Sequence, residues 1–305
     1  MKPLVIFHDN CADGFGAVFA AWLKFGDEAE YRPAQYGKEA FEEGETVEGR
    51  DVYVLDFSFD KKTTEWLSVT ANKFVFLDHH KTAFEMWCGE VPDGGLWIED
   101  TNFMSRQHHI TLDDNRSGAM ISWNYFHPNV EAPMLIKHID DYDRWQFKLR
   151  CTKEINKAIW SYAPWDFETW EQMVKDENYG QLITEGAAIL RAHDRQVHDM
   201  SKNVRECTIS FKEQPEGMLQ QTVFRDGLTV NAPSFLASDV GHELATQSGT
   251  FGLVWHMNDQ GKISCSLRSN GDYDVSAIAK AFGGGGHKNA AGFEIDAATL
   301  LEWLK

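Results

Sequence analysis

The sequence predicts an α/β protein in which a parallel-sheet domain is joined by a helical connector to a smaller α/β domain. Three observations carry this expectation. Short apolar runs at Leu4-Val5-Ile6-Phe7, Val52-Tyr53-Val54-Leu55 and Phe74-Val75-Phe76-Leu77 have the length and the β-branched and aromatic content of strands buried on both faces. The polar segment from Lys61 to Asn72, with Trp66 and Leu67 at helical spacing, turns the last two runs into a βαβ unit. Toward the end of the chain, strand-like runs (Cys207 to Phe211, Gln221 to Phe224, Phe251 to His256, Ile263 to Leu267) alternate with helical ones (Pro233 to Thr246, Val275 to Ala281).

The remaining elements follow in order. A helix after the first run is expected because Gly14, Gly16, Ala17, Ala20 and Ala21 permit close packing on a sheet. From Ser117 to about Asp143 the pattern is helical, and a polar, Trp-rich region runs from Thr152 to Glu177. Gln181 to about Val204 reads as a long connecting helix. The expected domains are therefore residues 1–195, connector included, and 205–305.

A chain of 305 residues with 43% hydrophobic and 13% aromatic content can fill two cores. Met1 to Phe7 is too short for a signal sequence, and no run approaches the roughly 18 apolar residues of a membrane span. Cys11, Cys88, Cys151, Cys207 and Cys265 are odd in number and scattered, which speaks against a disulfide framework or a thiolate zinc site and for a reducing cytoplasm. Net charge is -18, from 29 Lys and Arg against 47 Asp and Glu. Tracking a long phosphate backbone runs on Lys and Arg, so a nucleotide partner is expected to be small and held locally. Most of the eleven tryptophans are expected to be packing residues, and His108-His109 to lie in a polar loop and not to act as ligands.

The three apolar runs end in His8-Asp9, Asp56 and Asp78-His79-His80. Ligands of open parallel sheets sit beyond the carboxyl ends of the strands, so these groups should meet in one crevice. Two carboxylates at close range repel by about 4 kcal/mol at an effective dielectric of 20, and a pair of divalent metals would offset this. Oxygen donors with a minority of imidazoles suit Mn²⁺ or Mg²⁺ better than structural Zn²⁺. Asp140, Asp141 and Asp143 lie at the end of a helical stretch; they read either as a solvated acidic turn or, if the fold returns them to the crevice, as further ligands. In Gly283-Gly284-Gly285-Gly286, the missing Cβ atoms would let backbone N–H groups approach an anion, with His287 and Lys288 adding donors; a flexible turn is the competing reading.

Phe76-Leu77-Asp78-His79-His80-Lys81 resembles the Asp-His-His signature of the DHH phosphoesterases, which include RecJ exonucleases, nanoRNases and pAp phosphatases. Phe282 to Phe293 is similar to the glycine-rich motif of their C-terminal DHHA1 domain. The resemblance spans nearly the whole chain with the motifs in the family's order. It implies that Asp56 bridges two metals, that His79 is a metal ligand with Asp78 and His80 beside it either coordinating metal, as expected for Asp78, or supporting the ligand, and that Asp141, just before Tyr142-Asp143-Arg144-Trp145, supplies the fourth motif. Arg116-Ser117-Gly118-Ala119 matches a helix start beside the substrate. In the first motif Asp13-Gly14 matches the last acid, but the preceding acid aligns with Cys11, so Asp9 or His8 is expected to complete the site.

The resemblance further implies a water activated by two Mn²⁺, or Mg²⁺ in their place, attacking phosphorus, with Asp56, His79 and His80 catalytic. The glycine loop (Gly284, Gly285, Gly286), His287, Arg268 and Ser269 would grip the substrate end. The expected activity is hydrolysis of RNA of a few residues, linear dinucleotides or 3'-phosphorylated adenosine phosphates, in a cytoplasmic protein that has no membrane partner and is compatible with a homodimer. The rivals are a RecJ-like single-strand exonuclease and a nucleotide-binding regulatory protein that has lost catalysis.

Overall fold

Strand β1 (Leu4–His8) buries Leu4 to Phe7, as an apolar run covered on both faces must. It opens the first of two compact units, Met1–Leu190 and Arg191–Lys305, in a computed structural model that describes residues 1–103, 106–213 and 221–304. The elements that follow are α1 (Ala12–Phe25), β2 (Glu30–Ala34), β3 (Asp51–Leu55), α2 (Lys61–Thr70), β4 (Lys73–Asp78), α3 (Lys81–Cys88), β5 (Leu96–Phe103) and β6 (Arg106–Asp113). The sheet order is β2-β1-β3-β4-β6-β5, parallel except for the antiparallel edge strand β5. From β1 the chain crosses to β2 on one side, whereas β3 pairs on the other, so the order reverses at the β1/β3 junction where ligands of such sheets bind.

Helices α4 (Gly118–Phe126), α5 (Met134–Asp143), α6 (Thr152–Ser161) and α7 (Phe167–Met173) continue the unit, and α8 (Tyr179–Met200) runs on into the second. One face of the sheet packs Val5, Tyr53, Leu55, Val75 and Leu77 against α1, α4 and the Trp-rich helices, with Trp170 fully buried. The opposite face packs Leu4, Val52, Phe74 and Phe76 against Leu67 and Phe84. His108 and His109 lie in strand β6 and not in a loop: His108 is paired with Phe74, and His109 Nδ1 lies 2.6 Å from Asp100 on the edge strand. A polar strand next to a solvated edge carries little apolar signal, which hid it from the sequence.

The second unit contains β7 (Arg205–Glu213), β8 (Gln221–Asn231), α9 (Ala237–Ser248), β9 (Phe251–Met257), β10 (Ile263–Ser269), α10 (Ser276–Ala281), β11 (Gly285–His287), β12 (Ala290–Ile295) and α11 (Ala297–Trp303). Its six-stranded sheet, β11-β12-β10-β9-β8-β7, is antiparallel except where β8 meets β9. Phe251, Leu253, Cys265, Phe293 and Trp303 form one core, and α9 closes the other face through Val240 and Leu244. No helix among the described residues is long and apolar enough to cross a membrane.

Asp141, expected as a ligand, is instead a structural anchor. It sits 200° around helix α5 from Asp143 at 100° per residue, and its carboxylate accepts hydrogen bonds from Lys148 N (2.8 Å), Leu149 N (3.1 Å) and Thr152 Oγ1 (2.5 Å). Burial alone would raise its pKa, but these three donors hold it below the usual carboxylate range. The bonds tie the turn after α5 to the start of α6. Asp141→Ala should therefore lower stability by about 1–3 kcal/mol, read as a fall in the urea midpoint at unchanged m-value. An unchanged midpoint would show that the turn holds without it.

Candidate metal centre

Because β1, β3 and β4 are adjacent and parallel, their carboxyl ends deliver His8, Asp56 and Asp78-His79-His80 to one crevice. Asp56 follows the last residue of β3 and adopts φ +53, with its N–H donating to Leu77 O at 2.8 Å. That left-handed turn, which aspartate tolerates better than most residues, aims the carboxylate across the strand ends. The side chain is 1% exposed. A Cβ on Gly118 would come within 2.4 Å of Asp56 Cβ, so the start of α4 approaches this closely only as glycine.

Asp13 enters from the first turn of α1. Its two oxygens accept from Gly118 N (2.7 Å) and Ala119 N (2.9 Å), so an acid that completes the crevice also caps the positive end of α4. Gly16 makes room for this crossing, since a Cβ there would stand 2.8 Å from that of Ala119. The acidic triplet of α5 is divided three ways. Asp140 Oδ1 accepts from Ser117 N at 2.7 Å, Asp141 anchors the following turn, and Asp143 turns toward His79. Of the three acids it is Asp143, and not the expected Asp141, that approaches His79.

His79 Nε2 is ringed by Asp56 Oδ1 at 3.2 Å, Asp13 Oδ2 at 3.5 Å and Asp143 Oδ2 at 3.6 Å. Burial would lower its pKa, yet the carboxylates of Asp143, Asp56 and Asp13 outweigh this and raise it well above the ordinary histidine value. Asp13 is pushed up by burial and by Asp56 and Asp143, whereas Asp56 is held far down, against burial, by His79 and His8 beside it. Asp78, fully buried, accepts from His79 N (2.8 Å) and His80 N (3.2 Å), and His80 Nδ1 lies 2.7 Å from the same oxygen, which orients the ring. Asp78 therefore braces the two histidines. Asp9 does not join them: its carboxylate accepts from Asn10 N and from Gln35 Nε2 at 2.6 Å. His8 Nδ1, by contrast, lies 3.7 Å from Asp56 Oδ2.

Two groups of donor atoms, each lying within 4.8 Å of one another, flank Asp56: His8, Cys11 and Asp56 on one side, and Asp13, His79 and Asp143 on the other. Asp56, Asp78, His79 and His80 form a third, overlapping group. Both carboxylate oxygens of Asp56 and Nδ1 of His8 are buried without a hydrogen-bond partner. His79 and His8 stand near Asp56 without hydrogen-bonding to it, and burying a carboxylate so incompletely satisfied is costly; a divalent cation would supply the missing partner. The donor set therefore fits metal ions. Cys11, which in the sequence marks only a departure from the first motif, is part of it; its position before the last acid of that motif is the signal that could have found it. Burial and the neighbouring Asp56, Asp13 and Asp143 push its thiol well above the ordinary value.

In the second unit, Arg268 of β10 stands opposite Ala290 of β12, and Ala290 opposite His287 of β11. Directly opposed residues share a face, so Arg268 and His287 point the same way with a small residue between them. Ser238 Oγ accepts from Arg268 Nη2 at 2.8 Å, and Ser269 Oγ donates to Tyr273 O at 2.6 Å while accepting from Asn289 Nδ2. The glycine run turns at Gly283 and enters the edge strand β11 with Gly285 and Gly286. A Cβ on Gly284 would lie 2.0 Å from Gly292 O, and Gly286 has φ +135. The glycines let the strand lie flat against β12.

Residues 222–305 match the model of the DHHA1 domain. The chain is 29% identical over 305 residues to the uncharacterized protein R106 of Acanthamoeba polyphaga mimivirus, across 95% of this chain and 66% of that protein. It is 22% identical to the oligoribonuclease NrnB of Bacillus subtilis, across 95% and 72%. The chain thus spans about two thirds of the length of the curated relatives it matches. Among solved structures, a pGpG-specific phosphodiesterase, PggH, from Vibrio aligns over 99% of this chain and 96% of its own, with 11% identity and a TM-score of 0.47. The second unit thus carries a DHHA1 domain, and nearly the whole chain is similar to an oligoribonuclease, in line with the resemblance to the DHH phosphoesterases drawn from the motifs.

Proposed function

We propose that the protein hydrolyses phosphodiester or phosphomonoester bonds in short oligonucleotides or small nucleotides, using two divalent ions, Mn²⁺ or Mg²⁺, held on either side of Asp56. The observation that carries this reading is the buried carboxylate of Asp56, neither oxygen of which is hydrogen-bonded, among two sets of nitrogen, oxygen and sulfur donors. Its oxygens face different neighbours, Oδ2 toward His8 and Oδ1 toward His79, as a bridging ligand requires. When bound, two such ions about 3.5–4 Å apart lower the pKa of a water and neutralise the phosphoryl oxygens.

The chain's own residues do the rest. Asp13, His79 and Asp143 would hold one ion and His8 and Asp56 the other. Asp78 keeps a proton on Nδ1 of His80, which leaves Nε2 as the nitrogen that meets substrate or ion. Arg268, Ser269 and the Gly284-Gly285-Gly286-His287 segment are the proposed substrate grip, with Arg268 and His287 offering N–H donors to a terminal phosphate. The acidic balance, with net charge -18, favours a short substrate over a long strand. An oligoribonuclease among the relatives agrees with this choice.

The test is hydrolysis by the Mn²⁺-loaded protein of a panel of two- to seven-residue RNAs, linear dinucleotides, nucleoside bisphosphates and long single strands. Turnover should be greatest on the shortest members, and Asp56→Asn should lose at least about 10²-fold, the several kcal/mol a metal pair contributes. Equal turnover of long strands would favour a processive exonuclease instead. Asp78→Asn should weaken Mn²⁺ binding or activity about 10–100-fold by loosening both histidines, measured by calorimetry and initial rates; wild-type values would remove Asp78 from the account.

A further inference from the structure

The donor groups on the two sides of Asp56 differ in kind. Asp13, His79 and Asp143 offer two carboxylates and an imidazole, whereas His8, Cys11 and Asp56 offer an imidazole, a thiol and a carboxylate. We propose that the two cation positions are chemically unequal, and that the one formed by His8, Cys11 and Asp56 takes a thiophilic divalent ion such as Zn²⁺ through the Cys11 sulfur, while the other takes a harder ion such as Mn²⁺. This rests on the two-ion reading above and adds to it the identity of one ion.

Cys11 is fixed where a ligand is needed. Asn10, at φ +55, turns the chain sharply out of β1, and Cys11 then stands extended at the N-cap of α1, its carbonyl accepting from Phe15 N at 2.9 Å. That turn brings Sγ within 4.8 Å of the ligand atoms of His8 and Asp56. The second observation is independent of the cysteine. Asp56 is 1% exposed, and both its oxygens lack hydrogen-bond partners, as does His8 Nδ1. The His8 ring is lodged against Tyr36 and Phe57, with ring centres 5.4 and 5.9 Å away, so its nitrogen is held in place. These are buried, oriented lone pairs for which an ion is the fitting partner.

Thiolate and imidazole select Zn²⁺ over Mn²⁺, whereas carboxylates with one imidazole suit Mn²⁺. Three protein donors also leave a fourth position open, the arrangement tetrahedral Zn²⁺ keeps for water or substrate. When the Cys11 sulfur binds the ion, its proton passes to solvent and no redox change occurs.

The test is zinc X-ray absorption on the full-length protein loaded with one equivalent of Zn²⁺, alongside Cys11→Ser and Cys11→Asp. The wild type should show one sulfur neighbour at about 2.3 Å, absent from both variants. Cys11→Asp should keep two bound ions while its preference for Zn²⁺ over Mn²⁺ in competition dialysis drops by about tenfold or more. A wild-type spectrum with only nitrogen and oxygen neighbours at about 2.0–2.1 Å, in a protein that binds two ions, overturns the sulfur ligand and leaves the ion pair standing. A sulfur signal that persists in Cys11→Ser overturns it equally, since another cysteine then carries the signal. Failure of the wild type to retain any divalent ion overturns both.

Discussion

The strand ends of the first unit gather around a buried carboxylate that only imidazoles approach, with neither of its oxygens hydrogen-bonded. Asp56 is buried and held ionised, and Asp13 and Asp143 approach the same imidazole that it does. Close carboxylates at an effective dielectric of 20 repel by about 4 kcal/mol per pair, a large fraction of a domain's net stability. His79 and the amide groups of α4 offset part of this. In the proposed two-ion reading, divalent cations would meet the remainder.

The parallel sheet meets that requirement by topology. Strand β3 lies between β1 and β4, so the residue just past its end is flanked by the groups that end its two neighbours. Helix packing then supplies the third dimension. Asp13 on α1 reaches the crevice only because Gly16 and Gly118 remove the Cβ atoms that would hold α4 away. The same carboxylate caps α4, which couples helix placement to the presence of the acid. A side chain that serves both fold and site cannot be replaced without cost to each.

Much of this was legible in the sequence. Apolar runs that stop at Phe7, Leu55 and Leu77 reveal by length and composition where a parallel sheet ends, and ligand-bearing residues placed just beyond must share an edge. Helix α5 was less legible. Period alone shows that Asp141 and Asp143 diverge by 200°, so one of them at most could face His79, but which one depends on the rotation of the helix about its axis, and the packing of Ile136 and Ile139 against α1 sets that. Asp9 and His8 posed the same question at a strand end: β1 stops at His8, Asp9 lies in the turn that follows, and the hydrogen bond from Gln35 shows that Asp9 is already engaged. Strands β5 and β6 mix a few apolar residues with many polar ones and gave little apolar signal, and the last two glycines of the run hid a short strand because residues without side chains carry neither pattern nor propensity. Cys11 was visible only as a departure from an expected acid; its proximity to His8 and Asp56 arises from the turn at Asn10.

The central claim is that Asp56 is shared by two cations. Anomalous X-ray diffraction from crystals of the Mn²⁺-loaded protein tests it most directly. The account predicts two anomalous peaks about 3.5–4 Å apart, one on each side of the Asp56 carboxylate. A single peak, or two that both stand clear of Asp56, would contradict it.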